Sequence, residues 1–267
     1  SAVSSNTAAA TVSVSGNTVT VTGKANGSAK ITISVAAGTN YTAPANKTCA
    51  VTVSFLKDNF ADNDWASIIA ACHSGSVPST WVVGNSKTMT INGASYQVDI
   101  IGKNHDDYAD GSGKAPLTFQ MHTCYATEYK MNNSGSNTGG WADCLLRTTG
   151  GFKIIKSKMP AEVVAALKAV TKKTTAGGAS SAIDTTEDTL FLLSEIEVQG
   201  TRTFSYPGEG TQYAYYKTAA NRKKNRAWYL RSPRLNSTTC FDRTGWSGEA
   251  DWSVASEVDG IAAAWCF

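Results

Sequence analysis

From Thr11 to Gly23 the chain alternates without a break: Thr-Val-Ser-Val-Ser, then Gly16-Asn17, then Thr-Val-Thr-Val-Thr-Gly. A period of two sends successive side chains to opposite faces of a strand, and β-branched residues at every second position disfavour helix. Gly-Asn between two such runs predicts a two-residue hairpin turn. The alternation returns in "AKITISVAAG", which puts Ile31, Ile33 and Val35 on one face, and in "KTCAVTVSF". Charge is sparse throughout. Residues 1–56 are therefore predicted to form an all-β unit with the habit of a small β-sandwich.

The pattern changes near Lys57. In "DNDWASIIAACHSG" cap-type residues at 62–64 precede Trp65, Ile68, Ile69 and Cys72 at helical spacing, and Gly75 offers a stop. "TMTINGASYQVDIIG" carries Asn92-Gly93 between alternating runs, the signature of a type I′ hairpin. "MPAEVVAALKAVTKK" predicts a second helix, with Pro160 in the first turn, a Val163, Leu167, Val170 stripe and lysines at its C-terminal end. "DTLFLLSEIEVQG" reads as a strand or buried segment, and "AWYLRSP" and "DGIAAAWCF" as short apolar strands. Residues 57–267 thus read as an α+β domain with long polar connections.

Net charge of +3 is too small to argue for a nucleic-acid partner, and the basic run "NRKKNR" (residues 221–226) reads as a solvated loop. No apolar run reaches the roughly 18 residues of a membrane span, so no membrane insertion is expected. The opening "SAVSSNTAAA" lacks an initiator Met and a signal-peptide pattern, the expectation for a processed chain or one cut from a larger protein. Six cysteines are scattered with no C-x-x-C, and only three histidines exist. That argues against a zinc site, and no metal or cofactor is predicted.

Several groupings could carry chemistry. "NHDDYADGSG" gathers His105, Asp106, Asp107 and Asp110, but its spacing is not that of an EF-hand loop and favours an Asx-stabilised turn. His122 and Cys124, two apart, could share a strand face as base and nucleophile, but with no third residue to orient them a core position is the expectation. Glu195 and Glu197 have glycosidase-like pairing if the segment is a strand, but read better as polar edge residues. Arg147 and Arg231 are expected to pair with buried carboxylates and hold loops. No catalytic residue is predicted.

One tract resists these readings. Residues 234–253, "RLNSTTCFDRTGWSGEADWS", place Trp246 and Trp252 on apparent loop. The ordered blocks "DWASIIAAC", "YQVDIIGKNHDDYADGSGKAPLTFQM", "MNNSGSNTGGWADCLLR", "TLFLLSEIEVQG", "GTQYAYYK", "WYLRSP" and "GIAAAWCF" resemble an uncharacterised domain family common in gut bacteria and their phages, over roughly residues 58–267. The closing W-x-L-R-S-P, polar tract and G-I-x-x-A-x-C pattern also resembles the variable proteins of diversity-generating retroelements. "AAGTNYTAPANKTCAVTV" resembles the end of a bacterial immunoglobulin-like domain, of which about half is present.

The resemblance implies a C-type lectin-type fold, related to the formylglycine-generating enzyme, whose closing tract is a hypervariable binding surface. Adenine-directed mutagenesis of Asn codons yields small polar residues, and Asn236, Ser237, Thr239, Asp242, Thr244, Ser247, Gly248, Asp251 and Ser253 are such outcomes. Trp246, Glu249 and Trp252 cannot arise that way and would be fixed framework or come from a different template codon. Arg234, Phe241, Trp246 and Trp252 would be anchors among adaptable neighbours. The calcium-dependent sugar motifs of lectins are absent. The implied function is recognition of a protein or glycan on a bacterial cell, from a phage tail or capsid or from a bacterial surface, without catalysis. A cysteine-dependent oxidase on the same fold and a structural virion decoration module are the alternatives.

Overall fold

The computed structural model describes residues 1–53 and 55–267; Ser54, within the predicted strand "KTCAVTVSF", lies outside the described residues. The chain divides into two compact units, Ser1–Lys57 and Asp58–Phe267.

The first unit is all β. Strands β1 (Ala2–Ser4), β4 (Gly27–Ile33) and β5 (Lys47–Val53) form one antiparallel sheet in the order β1-β4-β5, and β2 (Ala10–Ser15) pairs with β3 (Thr18–Gly23). The β2–β3 turn is Gly16-Asn17, with Gly16 at φ +58° where a side chain would be strained. The core is small: Ala10, Ala29 and Ile31, with Val12, Ile33, Val51 and Val53 packed around them. Of the predicted Ile31, Ile33, Val35 face, Ile31 is buried, Ile33 half-buried and Val35 exposed, because β4 ends at Ile33.

The second unit is α+β. Helix α1 (Trp65–His73) begins where the Asp64 carboxylate accepts the Ser67 amide at 2.6 Å. Strands β6 (Ser86–Ile91) and β7 (Ala94–Lys103) form the predicted hairpin, with Asn92 and Gly93 at φ +52° and +76° as a type I′ turn requires. Strand β8 (Leu117–Met121) follows. Four short helices come next: α2 (Gly140–Asp143), α3 (Leu145–Thr148), α4 (Gly151–Lys158) and α5 (Ala161–Ala166). Strands β9 (Val170–Gly177) and β10 (Ser180–Asp188) make a separate hairpin, and α6 (Glu195–Gln199) precedes the closing strands. These are β11 (Trp228–Pro233), β12 (Cys240–Thr244), β13 (Ala250–Val254) and β14 (Ala264–Cys266).

The main sheet is antiparallel in the order β14-β8-β7-β6, so the last strand docks beside one laid down over a hundred residues earlier. Behind it, Phe60, Trp65, Trp81, Phe119, Trp265 and Phe267 pack with ring centroids 5.3–6.4 Å apart. Each such fully buried ring contributes roughly 1.5–3 kcal/mol. A second sheet, β11-β12-β13, carries the C-terminal tract.

Three predicted elements differ. The helix expected over 159–173 stops at Ala166, and Val170 and the lysines that follow lie on β9. Pro160 is the cap residue rather than first-turn, and the β-branched run Val170-Thr171 with Thr174-Thr175 pairs with β10 instead. The segment 188–200 is buried, one of its two expected readings, but is not a strand: β10 ends at Asp188, and Phe191 makes an isolated bridge to Ala264. Ser194 then caps α6 in a capping box with Glu197, and Gly200 at φ +75° ends it. The "NRKKNR" run is not a solvated loop throughout. Arg222 donates to Gln199 and the Tyr216 carbonyl, Lys224 is buried on the carbonyls of Met121 and His122, and Asn225 accepts the Cys124 amide.

Candidate functional site

The C-terminal tract is a hairpin, not a loop. In its register Phe241 faces Ser253, Asp242 faces Trp252, Arg243 faces Asp251 and Thr244 faces Ala250. Residues directly opposite share a face. On one face Arg243 binds Asp251 at 2.7 Å and reaches Asp259 at 3.1 Å. On the other, Asp242, Thr244 and Trp252 lie together.

Trp252 is 37% exposed, and the Arg234 guanidinium stacks 4.1 Å from its ring centroid. Arg234 also stands 5.4 Å from the Phe204 ring. Trp246, 67% exposed, occupies the β12–β13 turn. That turn is rigid: Glu249 accepts from the Ser247 amide and hydroxyl at 3.0 and 2.6 Å, and the Gly245 amide bonds the Glu249 carbonyl. At the other end Asn236 holds φ +54°, its carboxamide meets the Tyr206 hydroxyl at 3.1 Å, and Ser237 accepts the amides of Thr239 and Cys240. Buried Asn137 pins this corner, donating to the carbonyls of Ser237 and Cys240 and accepting the Gly178 amide.

The thirteen residues expected to contact ligand divide by depth. Asn236, Thr239, Trp246, Ser247, Glu249 and Trp252 are exposed; Arg234, Ser237 and Asp251 are half-buried. Phe241, Asp242, Thr244 and Ser253 are buried. Strand β12 is buried on both faces from Cys240 to Asp242, which the small polar composition of the tract could not reveal.

Beneath Trp252 the chemistry is unusual. Both carboxyl oxygens of Asp242 and the Thr244 hydroxyl are buried without a hydrogen-bond partner among the described residues. Burial pushes the Asp242 carboxyl well above the ordinary carboxylate range, the nearby Glu195 and Glu209 push the same way, and Arg234 opposes them. Glu195 accepts the amides of Thr203, Phe204 and Ser205 at 2.8–3.0 Å and the Ser205 hydroxyl. Glu209 accepts the Thr175 amide and hydroxyl and the Ser232 hydroxyl, and burial raises its carboxyl.

Further in lies an ion network. Arg231 grips Glu197 at 2.5 and 2.9 Å, and Lys172 joins Glu197 (3.2 Å) to Asp106 and the Tyr213 hydroxyl. Burial works against ionised Asp106, but the Lys172 ammonium and the Thr118 hydroxyl hold it at about 2. Burial opposes Glu197 too, and Arg231 and Lys172 keep it below its usual range. Arg147 binds buried Asp188 at 2.6 Å. A pocket of about 470 Å³ opens on the network beside His105, Lys114 and Thr211.

The remaining candidates separate. Glu195 and Glu197 are buried on a helix rather than at a strand edge, and the S-x-x-E spacing of Ser194 and Glu197 was the signal for it. Asp107 and Asp110 stay in the turn, paired with Lys114 and Lys168, and Asp110 caps the Ser112 amide. His122 is oriented by Asp99 at 2.7 Å, a partner sequence reasoning missed. Cys124 is buried beside Lys224 and Arg226 instead, and burial raises its thiol to about 11. Among the described residues no group of three or more His, Cys, Asp or Glu side chains is placed to hold a metal ion.

Residues 116–264, more than half of the chain, match the family described as a domain of unknown function, DUF6273. The chain belongs to the DUF6273 family. The DUF6273 segment includes β8, the ion network apart from Asp106, and the whole C-terminal hairpin. It leaves out α1, the strands β6 and β7 of the main sheet, and the last two residues of β14. No curated protein and no solved structure matches the chain.

Proposed function

We propose that the chain is a binding module that presents its C-terminal hairpin to a protein or glycan on a bacterial cell, from a phage virion or a bacterial surface. The observation that carries this is the pair Trp246 and Trp252. Trp246 is largely exposed and Trp252 partly so, on a hairpin whose turn and corner are held by hydrogen bonds. Large aromatics kept exposed on a rigid mount are the usual anchors of recognition surfaces. The order of blocks supports a C-type lectin-type fold of the retroelement-diversified kind, with "GIAAAWCF" as core and the tract before it as display. In that reading Arg234, Asn236, Thr239, Trp246, Ser247, Glu249 and Trp252 touch ligand, and Phe241, Asp242, Thr244 and Ser253 set the hairpin's seating.

The thiol-oxidase alternative gains little. Burial pushes Cys72 and Cys144 to about 12 and Cys266 well above its ordinary range, which keeps these thiols neutral and poorly nucleophilic. The decoration alternative uses the same exposed indoles and differs in outcome.

Binding of the fluorescently labelled chain to a panel of gut bacteria, by flow cytometry, tests the proposal. Trp246→Ala and Trp252→Ala should each weaken binding about tenfold or more at unchanged thermal midpoint. Equal binding by the double variant, or an oligomer that it breaks, sinks the reading. A downstream near-copy of the DNA for residues 234–267, differing at adenines, tests diversification separately.

A further inference from the structure

Four arginines of this unit spend their guanidinium on carboxylates: Arg147 on Asp188, Arg226 on Glu128, Arg231 on Glu197, and Arg243 on Asp251 and Asp259. Arg234 does not. Its backbone amide bonds the Cys240 carbonyl, but its guanidinium makes no hydrogen bond or ion pair among the described residues. The rings of Trp252 and Phe204 hold it in place. The carboxyl whose charge it feels, Asp242, is buried and makes no hydrogen bond. A preorganised fork with five unspent donors therefore stands beside an open pocket of about 400 Å³, within the roughly 300–1,000 Å³ range of small-molecule sites.

That pocket is lined by Thr203, Phe204, Arg234, Leu235, Asn236 and Ser237, with no carboxylate among them. Its polar groups are hydroxyls and a carboxamide, which can both donate and accept. Its main-chain donors are already committed. The amides of Thr203 and Phe204 serve Glu195, Leu235 serves the Phe204 carbonyl, and Ser237 serves the Arg234 carbonyl. An extended peptide would find no free backbone donor among these amides to pair with. A sugar needs none: hydroxyls meet side chains, a ring packs on the open part of the indole, and a carboxylate takes the guanidinium.

We infer that the Arg234 pocket binds a carboxylate-bearing sugar, a uronic or sialic acid residue of a surface glycan, through a two-pronged Arg234–carboxylate contact flanked by Trp252 and Asn236. The inference rests on the hairpin being a recognition surface, and names what it recognises.

Calorimetric titration of the full chain with oligogalacturonate and with sialyllactose, each beside its neutral counterpart, is the test. At least one acidic sugar should bind saturably and its neutral counterpart should not. Arg234→Ala should weaken binding about tenfold to a hundredfold. Arg234→Lys, which keeps the charge and loses the fork, should fall between, and serves alone if the alanine variant misfolds. Equal affinity for neutral sugars, no loss in Arg234→Ala, or no saturable binding of either acid overturns the inference. So does an Asp/Glu-rich peptide binding at Arg234 where the sugars do not. Cell binding that needs Trp246 and Trp252 but is not competed by either acid overturns this inference while leaving the recognition surface standing.

Discussion

Arg231 and Glu197 meet as a two-pronged ion pair, 2.5 and 2.9 Å, with side chains 0% and 3% exposed, and thereby tie β11 to α6. Removing Glu197 leaves Arg231 buried without its ion partner. Glu197→Gln should cost about 3–5 kcal/mol, measured by urea denaturation. Because Lys172 still pairs with Glu197, Arg231→Met should cost less than Glu197→Gln, and the double variant less than the sum of the two.

Asp106 and Asp242 should act oppositely on the pH dependence of stability. Asp106 is held at about 2 in the fold, below its ordinary 3.8, so its contribution is full above 3.8 and is lost as pH falls toward 2. Asp242 is raised well above 3.8, so the unfolded chain ionises first and stability falls as pH rises past that value. Asp242→Asn should remove a downward slope of up to about 1.4 kcal/mol per pH unit that sets in as pH rises above 3.8. Thermal melts taken on both sides of pH 3.8 read the two effects, Asp106 below that value and Asp242 above it.

Gly177 and Gly178 offer a paired control on the corner that Asn137 pins. Gly177 sits at φ +68°, and an added Cβ would stand 1.9 Å from the Asn137 carbonyl oxygen. Gly177→Ala should cost at least about 2 kcal/mol. Gly178, at φ +61°, would meet only the Thr138 side chain at 3.4 Å, and Gly178→Ala should cost about 1 kcal/mol.

Ser194→Ala removes a cap and a tether together. The hydroxyl accepts the Glu197 amide at 3.3 Å and donates to the Glu209 carbonyl at 2.8 Å. A loss of about 1–2 kcal/mol is expected in chemical denaturation.

Local signals carried the parts of the fold that local chemistry decides. Gly16-Asn17, Asn92-Gly93 and the Asp64 cap fall where turn and cap chemistry put them, and the pairing of Arg147 and Arg231 with buried carboxylates followed from charge and aromatic context. What failed was decided at long range, except at Glu195 and Glu197, where the local Ser194 cap decides it. Residues 170–177 could be helix by composition, and only β10 makes them a strand. Glu195 and Glu197 looked like one strand face, yet the Ser194 cap sets a helical period that buries both by different routes. The partner of His122 lies 23 residues away on β7, and the depth of Asp242 depends on a hairpin register that small polar residues do not encode.

The Glu195 carboxylate holds residues 203–205 by their main-chain amides, with one added hydroxyl from Ser205. A clasp on amides does not read side chains. Thr203 and Phe204 can therefore be exchanged for almost any residue but proline without loosening their segment. One wall of the Arg234 pocket is thus mechanically fixed and chemically free, so a lineage could retune what it grips there without relearning how to fold.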